Sequence, residues 1–136
     1  MNQQDTKTKS EGTEAIDVVA KAVVDAAFKV HSTLGPGLLE TVYEACLVHE
    51  LHRRGLRVET QVALPIEYDG FKLDAALRLD LLVEDQLIVE LKAVESLLPI
   101  HTAQMMTYLK LSQRRLGLLI NFYVPRIKDG IRRIIL

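Results

Sequence analysis

Two short aliphatic segments carry charge where the interior of a strand should carry none, and that conflict constrains this chain more than any other feature. Leu79-Asp80-Leu81-Leu82-Val83 holds one carboxylate, and Leu87-Ile88-Val89-Glu90-Leu91-Lys92 holds a carboxylate and an ammonium. Burying such groups is costly unless they are paired, hydrogen-bonded or bound to metal. The polar Glu84-Asp85-Gln86 between them makes the two segments an expected antiparallel hairpin. The hydrophobic pattern selects a register that sets Asp80 opposite Glu90, Leu82 opposite Ile88 and Arg78 opposite Lys92. One face then carries Arg78, Asp80, Leu82, Ile88, Glu90 and Lys92, and the other is uniformly apolar: Leu79, Leu81, Val83, Leu87, Val89 and Leu91. A slip of one residue would scatter charge over both faces. Two carboxylates and a lysine gathered in this way can hold a divalent cation beside a scissile phosphate, with the carboxylates expected about 4–6 Å apart.

Composition bounds the partners. The chain has 136 residues and 49% hydrophobic content, enough for one core and a single domain. Seventeen Lys+Arg against eighteen Asp+Glu leave a net charge of −1, so a nucleic-acid site has to be local. Basic residues cluster at Arg53-Arg54 with Arg57, at Arg114-Arg115, and at Arg126, Lys128, Arg132 and Arg133, and each cluster also reads as ordinary solvated surface. Cys46 is alone, which excludes a disulfide framework and a cysteine-based zinc site. The polar start has no apolar leader region and no stretch approaches a membrane span, so a cytoplasmic protein without membrane contact is expected.

Residues 1–13 are polar, with nothing to bury, and are expected to form a mobile tail ahead of a single domain over 14–136. Ile16, Val19, Ala20, Val23, Ala27, Val30 and Leu34 recur at helical spacing and predict a helix over Glu14–Leu34. Gly35-Pro36-Gly37 breaks it. A second helix is predicted over Leu38–Arg54, a strand over Val58–Tyr68, a turn at Asp69-Gly70 and a long returning strand over Phe71–Val83. A helix over Ile100–Gln113 and a buried strand over Gly117–Phe122 follow. Ile131–Leu136 reads as a last strand or a helical turn.

Two helix motifs bear on the charged strands. In Gly37-Leu38-Leu39-Glu40-Thr41-Val42-Tyr43, Glu40 and Tyr43 share a helix face. Gly37 also reads as an N-cap with Glu40 at the third position, where a carboxylate stabilises free amide groups. His101, Gln104 and Tyr108 form one polar stripe on the next helix, which reads equally as a solvent-facing edge.

Taken together, these blocks resemble the small bacterial proteins named for their GxxExxY motif, placed in the PD-(D/E)xK nuclease superfamily. Gly37-x-x-Glu40-x-x-Tyr43 matches the naming motif. Asp80-Leu81-Leu82-Val83, Glu90-Leu91-Lys92-Ala93, His101-Thr102-Ala103-Gln104 with Tyr108, and Gly117-Leu118-Leu119-Ile120-Asn121-Phe122 are similar to its later blocks. Thr60 stands where the family favours a basic residue.

The resemblance implies an α/β fold with a restriction-endonuclease-like αβββαβ core, a mixed β-sheet flanked by helices. It implies Asp80 and Glu90 as metal-binding carboxylates, Glu40 as a further acid and Lys92 as the residue that activates water. Gln104-x-x-x-Tyr108 is similar to a signature of exonuclease-type members, which implies substrate positioning by Gln104 and Tyr108, with Tyr43 and His101 nearby. The implied function is a Mg²⁺- or Mn²⁺-dependent nuclease of DNA or RNA, with Asp80, Glu90 and the Leu91 carbonyl holding the ion. The rival reading is a non-catalytic nuclease-fold binding or assembly module in which Asp80, Glu90 and Lys92 are a structural ion-pair cluster. Under either reading a homodimer is expected at the first helix, because Val18, Ala22, Val24, Ala26 and Phe28 add apolar stripes beyond those one sheet can cover.

Overall fold

The computed structural model describes residues 3–136, with side chains from Glu14 onwards. Its elements run α1 (Gln3–Leu34), α2 (Glu40–Arg53), β1 (Val58–Tyr68), β2 (Phe71–Val83), β3 (Leu87–Lys92), α3 (Pro99–Ser112), β4 (Leu116–Asn121), a short 3₁₀ turn (Ile127–Gly130) and β5 (Ile131–Ile135). The five strands lie in the sheet in chain order. All neighbours are antiparallel except β3 and β4, which α3 joins as a parallel crossover. The result is the α/β class with a mixed sheet flanked by three helices, consistent with a restriction-endonuclease-like core. The last segment resolves as a strand. No described helix is long and apolar enough to cross a membrane.

Helix boundaries differ from the sequence pattern in instructive ways. Periodicity alone started α1 at Glu14, yet its backbone begins at Gln3. The segment 1–13 read as a mobile tail lies outside the residues whose side chains are described. Helix α2 starts at Glu40 and not at Leu38, because Gly37 sits at φ +98, in the left-handed region, and the extended Leu39 becomes the N-cap. Glu40 is therefore the first helical residue, and Gly37 caps nothing.

The sheet divides two cores. Leu81, Val83, Leu87, Val89, Leu91, Leu118 and Ile120 pack beneath α1 and α2 with Val23, Ala27, Tyr43 and Leu47. Leu82, Ile88 and Leu119 pack against Met105 and Leu109 of α3. Burying both faces explains the nearly continuous apolar runs of β3 and β4. Gly117 permits the close approach of α3, since any side chain there would run into Met105.

The β2–β3 register is the one the hydrophobic pattern selects: Leu81 pairs with Val89, Leu82 with Ile88 and Val83 with Leu87. Strict alternation fails further back along β2. Leu79, assigned by the pattern to the same face as Leu81, packs instead with the α3-side cluster, together with Val62, Leu64 and Leu77. The cause is local. Gln61, an interior residue of β1, has φ +50, and the β1–β2 ladder omits Gln61 and Asp80 while pairing Thr60 with Leu81 and Val62 with Leu79. Both strands turn over at that step and present the opposite face beyond it. A second irregularity falls at Pro65, whose missing N–H is tolerated because β1 is an edge strand.

Candidate active site at the fork between β2 and β3

Past the Leu81–Val89 pair the two strands stop exchanging backbone hydrogen bonds, and side chains take over the pairing. The Asp80 amide donates to Glu90 Oε1 at 3.1 Å, and the Leu91 amide donates to Asp80 Oδ2 at 2.9 Å. Each carboxylate thus satisfies an amide that the widening fork would leave unpaired. Arg78 and Lys92, expected opposite each other, lie beyond the ladder and are not paired.

The two acids are in direct contact. Burial raises the Glu90 pKa most, the negative charge of Asp80 and a carboxyl–carboxylate hydrogen bond to it raise it further, and the Asp80 amide and the Lys92 ammonium oppose the shift, leaving Glu90 pushed up to about 9. The shift favours the protonated form of Glu90. Two facing carboxylates without a cation behave in this way.

Glu40 joins this field from the N-terminus of α2. Its carboxyl is raised by desolvation and then by Asp80 and Glu44, with Lys92 acting in the opposite direction. Glu40 is the first helical residue, not the third, and its side chain makes no hydrogen bond to the helix N-terminus among the described residues. Lys92 is half-buried at the end of β3. Tyr108, on α3, is also raised, first by burial and then by the charges of Glu90 and Asp80. Gln104 and Tyr108 line an open groove of about 280 Å³ between α3 and the β1–β2 hairpin, with Ile66 and Leu77 on the far wall.

Two expected positioning residues serve the scaffold instead. Tyr43 is fully buried and stacks on Phe122 with ring centroids 4.5 Å apart. Its hydroxyl donates to Gly35 O at 2.6 Å and accepts from the Leu38 amide at 3.0 Å. The tyrosine of the GxxExxY motif therefore fixes the turn that delivers Glu40. His101 Nδ1 accepts the Leu98 amide at 2.9 Å, which caps the start of α3.

One residue of consequence was not picked out from the sequence. Asn121 is 1% exposed and lies beside Lys92 in the parallel ladder. It donates to Val94 O at 2.8 Å and accepts the Val94 and Tyr123 amides, both at 3.2 Å, while the Phe122 amide donates to Lys92 O at 3.0 Å. This clamp holds the chain where it leaves β3. The available signal was the one that marked Asp80: a polar residue ending an aliphatic run.

As a donor set, Asp80, Glu90 and the Leu91 carbonyl offer only hard oxygens, with negative charge that repels itself in the absence of a cation. Such a set suits a divalent ion of the Mg²⁺ kind, which takes oxygen ligands and retains water. No group of three or more His, Cys, Asp or Glu side chains among the described residues could enclose a metal, so water would complete the shell.

A family model described as the PD-(D/E)XK nuclease superfamily matches residues 17–134. No curated protein and no solved structure matches the chain.

Proposed function

The chain belongs to the PD-(D/E)XK nuclease superfamily, whose model spans residues 17–134, and from that premise we propose a Mg²⁺- or Mn²⁺-dependent nuclease that hydrolyses phosphodiester bonds of DNA or RNA. The observation that carries the reading is the crossed pairing at the fork, where the Asp80 amide donates to Glu90 and the Leu91 amide donates to Asp80, so that two carboxylates on adjacent strands converge where a cation would balance their charge. Asp80, Glu90 and the Leu91 carbonyl would hold the ion, which when bound polarises the phosphoryl oxygen and acidifies water. Glu40, whose affinity for protons is raised, takes a proton from the attacking water. The Lys92 ammonium orients that water and stabilises negative charge growing on the phosphoryl group. The water oxygen forms a bond to phosphorus as the bond to the leaving oxygen breaks, and the leaving oxygen takes a proton from solvent water, giving a phosphomonoester and a free hydroxyl. Gln104 and Tyr108 position the nucleotide in the adjoining groove.

Within the superfamily, membership of the GxxExxY group is part of the proposal, on the motif Gly37-x-x-Glu40-x-x-Tyr43. The free, half-buried Cys46 suits the reducing cytoplasm. A homodimer through α1 is proposed on the exposed Val18, whereas Ala26, counted toward the same surface, is fully buried in the core.

The test is cleavage of single- and double-stranded DNA and RNA with Mg²⁺ or Mn²⁺, wild type against Lys92→Ala. Metal-dependent cleavage lost in the variant supports the reading, and no cleavage above the variant refutes it. One observation favours the rival, a non-catalytic module: Asp80 and Glu90 already satisfy each other's strand. Calorimetry with no Mg²⁺ or Mn²⁺ uptake dependent on Asp80 would establish that alternative.

A further inference from the structure

An open cavity of about 470 Å³ lies outside the fork, where α1 meets the loop that follows β4. Its walls include Phe28, His31 and Ser32 of α1, Pro36 of the glycine-proline turn, and Arg126 and Lys128 beside the 3₁₀ turn. His31 fixes this junction, for its Nε2 donates to Val124 O at 2.8 Å across the chain.

The charge lining this cavity is one-sided. No aspartate or glutamate lines it, although the whole chain carries a net charge of −1. Three other cations of the basic clusters are ion-paired within the molecule: Arg57 to Glu84 at 3.0 Å, Arg114 to Asp85 at 2.8 Å, and Arg133 to Asp17. Arg126 and Lys128 are exposed and make no ion pair among the described residues. Phe28 is 43% exposed at the rim, an aromatic face beside two free cations. Charge that tracks a backbone next to a stacking surface is the recurring chemistry of single-strand recognition.

Its position relates it to the fork. Pro36, in the cavity wall, precedes Glu40 by four residues, a reach of at most about 14 Å of extended chain. Asn121, which clamps the exit of β3 after Lys92, likewise lies only a few residues from Arg126. The cavity wall is thus tied by two short chain segments to Glu40 and to the Asn121 clamp.

We propose that this cavity is a second contact for the polynucleotide, in which Arg126 and Lys128 bind backbone phosphates and Phe28 stacks on a base, so that the chain engages a strand several nucleotides away from the bond it cuts. The proposal deepens the nuclease reading and rests on it for direction only, because binding and cleavage are measured separately.

The experiment measures anisotropy of labelled single-stranded and duplex oligonucleotides in EDTA across a salt series, with folding of each variant checked by thermal melting. Arg126→Gln/Lys128→Gln is expected to weaken single-strand binding about tenfold or more at low salt. The slope of log K against log salt should fall by about 1.4, as expected for two lost phosphate contacts. Arg57→Gln/Arg114→Gln removes the same charge from two ion-paired cations and is expected to change affinity less than about threefold, as for partly exposed paired charges. Phe28→Ala is expected to cost about tenfold on single strands and little on duplex. Equal loss in both double variants, wild-type binding by Arg126→Gln/Lys128→Gln, or no binding by the wild type at low salt would each overturn the proposal. Binding without metal-dependent cleavage would leave the cavity standing and remove the nuclease reading. Cleavage by a wild type whose binding ignores Arg126 and Lys128 would do the reverse.

Discussion

Glu90 shows what one buried acid contributes and costs. Its folded-state pKa of about 9 lies above the ordinary 4.5, so the folded protein holds a proton that the unfolded chain releases first. Folding takes up a proton between those values. The stabilisation is fully present below about pH 4.5 and is lost as pH rises toward 9. Metal-free protein is therefore expected to lose stability from pH 6 to 8.5 in urea titrations. Glu90→Gln, which keeps the oxygen that accepts the Asp80 amide and mimics the protonated acid, is expected to flatten that trend and to stabilise the protein by on the order of 1–2 kcal/mol at pH 8.5. An unchanged pH dependence in Glu90→Gln would refute the assignment. The same proton has to leave when a cation enters. Calorimetric Mg²⁺ or Mn²⁺ titrations at pH 7, in buffers of different ionisation enthalpy, are expected to show about one proton released per ion, with affinity rising up to about tenfold per pH unit. Proton-independent binding would place the ion elsewhere.

At the scale of elements, two polar side chains deliver the charged groups by fixing the backbone around them. The Tyr43 hydroxyl ties down the turn between α1 and α2, which places Glu40 as the first residue of α2. Tyr43→Phe keeps the stack on Phe122 and removes both hydrogen bonds, with an expected loss of about 1–3 kcal/mol in thermal or chemical melting. If Tyr43 touched substrate, activity would fall at unchanged stability. Asn121 does for Lys92 what Tyr43 does for Glu40. Asn121→Ala is expected to destabilise by a similar amount, about 1–3 kcal/mol, because the Val94 amide and carbonyl both lose their partner in a part-buried setting. Metal-dependent turnover is expected to fall well below the melting temperature, since Lys92 is no longer held in register. Full turnover in a folded Asn121→Ala protein would show that the clamp serves stability alone.

Across the whole molecule, both faces of one sheet are covered, and Asp80 and Glu90 sit where two of its strands part. The strands are buried under α1 and α2 on one side and α3 on the other, and the fork opens where β2 turns away at Asp80. The long β1–β2 hairpin runs on past that point and carries Tyr68 and Phe71 at its exposed tip. Self-association is the remaining property of this scale. Light scattering at micromolar concentration is expected to give about twice the 15.3 kDa monomer mass. A monomer that shifts to a dimer only with Val18 intact would assign the contact to α1, and a monomer at all concentrations would remove the proposal.

The sequence by itself determined the register of β2 on β3, because a period of two combined with a mostly apolar face penalises every slip. It also determined the charged centre, since Asp80 and Glu90 violate an aliphatic pattern that needs a chemical reason to be broken. Most element boundaries followed from periodicity and from Gly and Pro. Only the tertiary structure decided the roles of Tyr43, His101 and Asn121, because a hydroxyl, an imidazole or an amide satisfies whichever backbone group folding brings near, and no local pattern names that partner. The turnover of β1 and β2 at Gln61 and Asp80 was likewise hidden. A left-handed residue inside a strand leaves no mark in hydrophobic alternation, and it moved Leu79 to the opposite core. Sequence pattern fixed which residues had to be buried, and the fold fixed what each met there.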